Sequence, residues 1–169
     1  QEHMSDVAFQ VAVIDAQGWL AYSNLAAPKV QVDLREREHF RVHREGGDRL
    51  FISKPVKGKV SGKWSIQFTR PIIAQDKFKG VMVVSVSPET IAAFSEKLMP
   101  DTIITMVADG GEIMARYPAG DQALGIKLTG TPYLVADAPI SGNFSRRAQV
   151  DGVERLYGFH RLPEYGLTF

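Results

Sequence analysis

The chain has 169 residues, 44% hydrophobic and 23% charged, with a net charge of +1 and no cysteine. This composition supports a real core in one large domain or two small ones and does not indicate disorder. It also excludes disulfides, thiolate nucleophiles and cysteine-held zinc, and the near-neutral charge removes the electrostatic case for nucleic acid, which needs clustered cations.

The first six residues, QEHMSD, read as the last turn of a helix or as a cloning scar. Residues 7–24 read as a hairpin, with valine and isoleucine on the first arm and a turn at Asp15-Ala16-Gln17-Gly18. A connector without periodicity leads to VDLREREHFRVHREGG, residues 32–47, which carries four arginines, two histidines and four carboxylates. Asp33 followed by Glu36 predicts a capping box, and Gly46-Gly47 predicts the helix stop. Between them only Leu34, Phe40 and Val42 are apolar, too few for an ordinary buried stripe.

RLFISKPV predicts a short strand ended by Pro55, and KGKVSGK reads as a solvated basic loop, since no helix N-terminus follows it to make a phosphate cradle. KWSIQFTRPIIA alternates strictly, with Trp64, Ile66, Phe68 and Arg70 on one face and Ser65, Gln67 and Thr69 on the other. QDKFKG turns the chain into GVMVVSV, a central strand rich in valine on both faces. SPETIAAFSEKLMP predicts a helix with Ser87 as N-cap, Pro88 at the first position, a stripe of Ile91, Phe94 and Leu98, and a stop at Pro100.

After Pro100 the pattern restarts. VAVIDAQGWLAYS laid over ITMVADGGEIMAR pairs Gly18 with Gly111, Ile14 with Val107 and Leu20 with Ile113. TRPIIAQDKFKGVMVV and FHRLPEYGLTF also share a turn that feeds a glycine-led strand. The sequence is therefore an internal duplication, with lobes at 1–100 and 101–169. The middle of the second lobe is loop-like, and GNFSRRAQVDGVERLYGFHRL is a strand pair joined at Asp151-Gly152. Two antiparallel sheets flanked by helices make an α+β fold, and without βαβ alternation or a glycine-rich phosphate loop nucleotide folds are not expected. The terminal YGLTF stops in what reads as mid-strand, so a longer protein is expected.

Several residues are candidates for chemistry. His39 and His43 are spaced i, i+4, but no third ligand accompanies them, so packing or ligand contact by His39 is favoured over a metal. No Gly-x-Ser-x-Gly elbow or other catalytic motif supports a hydrolase. Arg70 shares a face with apolar residues, which predicts an anionic partner, either Asp33 or Glu36 or a ligand. Trp64 is a core residue or a ligand platform, and Ser85 a core hydroxyl or a pocket group.

In order, DLREREHF, LFISKPVKGKVSGKWSIQFTRPI and FKGVMVVSVSPETIAAF resemble the membrane-distal lobe of a double Cache domain. DGGEIMARYP and VDGVERLYGFHRLPEYGL resemble its membrane-proximal lobe. This family is the PAS-like sensor region found outside the membrane in bacterial receptors, and the likeness covers nearly the whole chain. The wording is most similar to versions attached to diguanylate cyclases and, less often, histidine kinases. The resemblance implies two tandem PAS-like lobes behind a truncated N-terminal helix, a periplasmic location, membrane segments outside this chain, homodimerisation in the full-length protein, and no cofactor or catalysis in this part.

Amino-acid-binding members use an Arg-x-Trp pair, a Tyr-x-Asp pair and a later aspartate for the ligand's amine. Here Arg37 matches the arginine, while His39, Val56, Gly58 and Ser85 stand at the other positions. The resemblance therefore implies a distal-lobe pocket for a carboxylate without a charged amine, contacted by Arg37, His39, Phe40, Trp64, Arg70 and Ser85. A ligand-free dimerisation domain and, last, a small hydrolase are the alternatives.

Overall fold

The computed structural model describes residues 8–27, 31–91, 102–118, 120 and 122–169. The chain divides into two compact units, Gln1–Ser87 and Pro88–Phe169, each carrying one antiparallel sheet.

In the first unit, β1 (Ala8–Asp15) and β2 (Leu20–Ser23) form the expected hairpin. Asp15 Oδ1 accepts hydrogen bonds from the amides of Gln17 and Trp19, and Gly18 takes a φ of +90°. The helix α1 (Glu38–Arg44) is followed by short strands β3 (Phe51–Ile52) and β4 (Val56–Lys57) and the long strands β5 (Trp64–Ala74) and β6 (Lys77–Val86). A two-residue turn joins the long pair, with Gln75 and Asp76 at φ of 51° and 54°, the mirror-image geometry that suits strand twist. The strand order is β2-β1-β6-β5-β3, with β4 also on β5, so the valine-rich β6 is central as its composition predicts.

The second unit contains β7 (Ile104–Ala108), β8 (Ile113–Tyr117), β9 (Ser141–Arg147), β10 (Glu154–Leu162) and β11 (Leu167–Thr168), in the order β8-β7-β11-β10-β9. This repeats the five-strand path of the first sheet, whose sixth strand, β4, lies off that path. Gly111 has a φ of +88°, matching Gly18 at the equivalent turn.

Three expectations change. The helix starts at Glu38 with Arg37 as an uncapped N-cap, so the capping box does not form. Asp33 instead closes a local turn, accepting from the Arg35 amide at 3.0 Å and pairing with the Arg35 guanidinium at 2.6 Å, while Glu36 turns away to Lys59 at 2.8 Å. The helix buries His39, Phe40 and His43, so two imidazoles complete the stripe that too few apolar residues had left open.

The alternation along β5 is real, but the face toward α1 and the cavity is the polar one, and the other face is covered as well at Ile66, which is fully buried. Ser65, Gln67 and Thr69 are buried, whereas Trp64 and Arg70 are exposed. The face toward α1 can be polar because each group finds a partner: Thr69 Oγ1 lies 2.8 Å from His43 Nε2, and Gln67 and Ser65 bond to each other.

Residues 88–91 begin the expected second helix, while Phe94, Leu98 and Pro100, the 100/101 lobe boundary and the N-terminal helical turn lie outside the described residues. Among the described residues, no helix is long and apolar enough to cross a membrane.

Candidate functional site: a polar-floored cavity in the first unit

β1, β6 and β5 set a row of side chains on one face of the sheet. Register places Gln10 beside Ser85 and Ser85 beside Gln67, with Ala12 beside Val83 further along. Over this face lie the 33–37 corner, the start of α1 and the loop after β4. Together they enclose a cavity of about 50 Å³ lined by Gln10, Ala12, Ile14, Leu20, Leu34, Arg37, His39, residues 56–60, Gln67, Val83 and Ser85.

The floor is a chain of neutral hydrogen bonds. Ser85 Oγ donates to Gln67 Oε1 at 2.6 Å, Gln67 Nε2 to Ser65 Oγ at 2.6 Å, and Gln10 Nε2 to Ser23 Oγ at 2.9 Å. The single Ser85 proton is spent on Gln67, so its contact with Gln10 Oε1, at 3.4 Å, is the weak one. That leaves the Ser85 lone pairs and Gln10 Oε1 as acceptors for a ligand donor.

The roof carries the charge. Arg37 donates from Nη2 to the Lys57 carbonyl at 3.2 Å, and Lys59 Nζ donates to the Asp33 carbonyl at 2.7 Å, so the basic loop is strapped to the corner. The loop is solvated as expected, with Lys57, Lys59 and Lys63 exposed, and in addition Lys57, Gly58 and Lys59 form part of the wall. His39 is 6% exposed, and burial first, then the Arg37 charge and His43, pushes its imidazole down to about 4. At neutral pH the cavity therefore offers a guanidinium and a neutral imidazole at the roof, uncharged acceptors at the floor, and no carboxylate.

Of the six residues singled out in the sequence, Arg37, His39 and Ser85 line this cavity. Phe40 is fully buried in the hydrophobic cluster with Ile14 and Val81 and carries the Arg44 guanidinium over its ring at 5.7 Å. Trp64 and Arg70 are exposed at the two ends of the opposite face of β5, with the buried Ile66 between them, and neither lines the cavity. All five positions matched to the amino-acid motif (Arg37, His39, Val56, Gly58 and Ser85) fall on the cavity wall.

Gln10 and Gln67 were not anticipated. Gln10 is legible in hindsight, since it interrupts a valine-rich strand on the Ala12–Ile14 face, whereas Gln67 was masked by the assumption that the more apolar face of β5 points inward. His39 and His43 do not share a ligand, because His43 is taken up by Thr69 and packs edge-on to Phe51 with centroids 6.3 Å apart. Among the described residues, no group of three metal-ligating side chains is placed to hold an ion.

No protein-family model and no curated protein sequence matches the chain. Solved structures do. The extracellular domain of a protein assigned as the histidine kinase rpHK1S-Z16 superposes with a TM-score of 0.83 at 25% identity, covering 96% of this chain and 68% of that one. The ligand-binding domain of the Pseudomonas aeruginosa amino-acid chemoreceptor PctC, in complex with GABA, gives 0.63 at 20% identity over 99% and 75% of the two chains. The sensor domain of the Vibrio cholerae histidine kinase DctB gives 0.61 at 17% identity over 95% and 70%. The duplicated sheets, the cavity on the first of them and these likenesses agree: the chain has the two-lobe, PAS-like Cache fold of the extracellular sensor domains of bacterial histidine kinases and chemoreceptors.

Proposed function

We propose that this chain is the periplasmic input domain of a transmembrane signalling protein, and that its first unit binds a short carboxylate lacking a charged amine. The observation that carries the reading is the cavity's pairing of the Arg37 guanidinium with a floor of uncharged acceptors. A guanidinium holds a carboxylate by two parallel charge-assisted bonds. Gln10 Oε1 and Ser85 Oγ would accept from a hydroxyl on the same ligand, so a short hydroxy acid satisfies both ends.

The ligand of PctC, GABA, carries an amine as well as a carboxylate. An ammonium here would lose its hydration without meeting a carboxylate in the wall, which disfavours it. The cavity's volume of about 50 Å³ is well below the roughly 300–1,000 Å³ of drug-sized ligand sites, so only ligands of few heavy atoms are candidates.

The domain itself is non-enzymatic. Ligand binding would favour one arrangement of the full-length protein, a homodimer, over another, and would shift a cytoplasmic histidine kinase or diguanylate cyclase only by the ligand's differential affinity for the two states.

The test is thermal unfolding of the purified chain with lactate, glycolate, malonate, malate, citrate and alanine at millimolar concentration, beside Arg37→Ala. An acid at 100 times its Kd adds about 2.7 kcal/mol to the stability of the wild type. The expected result is stabilisation by at least one short acid, lost in Arg37→Ala. If no acid stabilises the wild type, the carboxylate reading fails and a ligand-free dimerisation domain takes its place; if the variant responds equally, the acid binds without Arg37 and the anchor assigned here is wrong.

A further inference from the structure

The two buried histidines of α1 are placed differently. His43 is held by Thr69 Oγ1 at 2.8 Å and packs edge-on to Phe51. His39 lines the first-unit cavity beside Arg37, and among the described residues its ring makes no hydrogen bond. The function proposed above uses the guanidinium and leaves this imidazole idle.

The groups that face His39 are cationic or neutral. On its own helix it meets the charge of Arg37 and the ring of His43. From β4 and the loop after it come Lys57 and Lys59, and Lys59 spends its ammonium on the Asp33 carbonyl and the Glu36 carboxylate. Asp33 itself is taken up by Arg35. From the sheet come Gln10, Gln67 and Ser85, which carry no charge. In the empty cavity a proton on His39 would set a second cation beside Arg37 in a desolvated wall, so the ring stays neutral.

A carboxylate seated on Arg37 reverses that balance. It offsets the guanidinium's field at the ring. It also has about four lone-pair sites, and the two parallel bonds of a guanidinium use only two of them. A protonated His39 can donate to another, and an opposite charge within reach favours the charged imidazole.

We propose that the first-unit cavity binds its acid together with a proton, which His39 takes from solvent as the carboxylate arrives, so that the site fills more readily as its surroundings acidify. This rests on the carboxylate reading above and adds the conditions under which the site is occupied. Acid and proton strengthen each other's binding by the same factor, because such coupling is reciprocal. The bound state holds more protons than the empty one, so the dissociation constant falls as the pH falls. The limit for one proton is about tenfold per pH unit.

The test is calorimetric titration of the whole chain with lactate and glycolate at pH 7.5, 6.5 and 5.5, each in two buffers of different ionisation enthalpy, beside His39→Gln. Both acids stay ionised throughout this range, so a proton taken up belongs to the protein. The wild type should take up more than half a proton per acid at pH 5.5, and its dissociation constant should fall at least fivefold from pH 7.5 to 5.5. In histidine-labelled protein at pH 5.5, saturation with the acid should move the His39 ring resonances to their protonated positions and leave those of His43 where they were. His39→Gln should bind more weakly than the wild type at pH 5.5 and change less than twofold across the range. The labelled wild type decides the matter even if His39→Gln does not fold. Binding without proton uptake, or a pH dependence that survives in His39→Gln, overturns the proposal and leaves the carboxylate reading standing. Binding of neither acid at any pH overturns this proposal and the hydroxy-acid reading together.

Discussion

His39 makes the first unit sensitive to mild acid. Its imidazole is pushed down to about 4 in the folded chain, from an ordinary value of 6.5. The neutral form is the one the fold accommodates, so between these values the unfolded chain binds the extra proton. Stability is then full above pH 6.5, declines as the pH falls through the window, and levels off below about 4. Integrated from pH 7.5 to pH 5, the loss from His39 alone is about 2 kcal/mol.

His43 is lowered too, chiefly by burial, and adds to the loss with the same sign. Asp33 and Asp151, held at about 2 by Arg35 and Arg155 respectively, weaken the fold only below their unfolded value of 3.8, so pH 5 separates the imidazoles from them. Both tryptophans of the chain, Trp19 and Trp64, lie in the first unit, so their fluorescence reports its unfolding specifically. With a urea dependence of roughly 2 kcal/mol per molar, the midpoint should fall by about 1 M between pH 7.5 and 5. In His39→Gln the fall should shrink to what His43 contributes. Equal losses in wild type and variant would refute the assignment of the acid sensitivity to His39.

Two further outcomes follow from the sheet. Gly80 has a φ of +151°, and an added Cβ would lie 2.1 Å from the Ile14 carbonyl oxygen, so Gly80→Ala must push β1 from β6; it should cost about 3 kcal/mol by urea titration of tryptophan fluorescence. Trp64→Ala and Arg70→Ala remove exposed side chains from the face of β5 opposite the cavity, so the affinity for an acid bound at Arg37, measured by calorimetry, should change less than twofold in either.

The architecture was readable from sequence because it is written twice. The paired turns at Gly18 and Gly111, the valine-rich central strand and the long β5–β6 hairpin all carry local signals, and the two sheets repeat one strand order. Arg37 was readable as a pocket residue through the likeness of its position to a known motif, and Ser85 already as a polar group on the valine-rich strand.

What misled was the equation of apolar with inward. Along β5 the alternation defined two faces without saying which one meets the cavity, and both are covered in part, since Ile66 is buried as fully as Ser65 and Thr69. The choice is decided by α1, whose His43 meets Thr69, and by the network through Gln67, neither of which is a local property of the strand. The helix misled in the same way: buried imidazoles counted as polar residues when the stripe was judged too thin.

The sharpest trial of the floor is Ser85→Asp. Ser85 is 1% exposed, between two glutamine amides. A carboxylate there loses hydration, and in the empty domain it is matched only by amide groups that can turn their Nε2 atoms toward it, so the free variant should be less stable by about 1–3 kcal/mol. A ligand ammonium at the same spot restores the balance by pairing with it. Lactate and alanine differ chiefly in carrying a hydroxyl or an ammonium beside the carboxylate, so they separate the two floors cleanly. The wild type should favour lactate, because Ser85 and Gln10 accept a hydroxyl proton without needing charge. The variant should favour alanine, because lactate now meets a like-charged floor while alanine neutralises it. The measurement is the ratio of the two affinities by calorimetry in wild type and variant, with a reversal of at least tenfold expected. If the ratio does not move, the ligand does not reach the floor, and Ser85 is a hydrogen-bonded core hydroxyl that only happens to border the cavity.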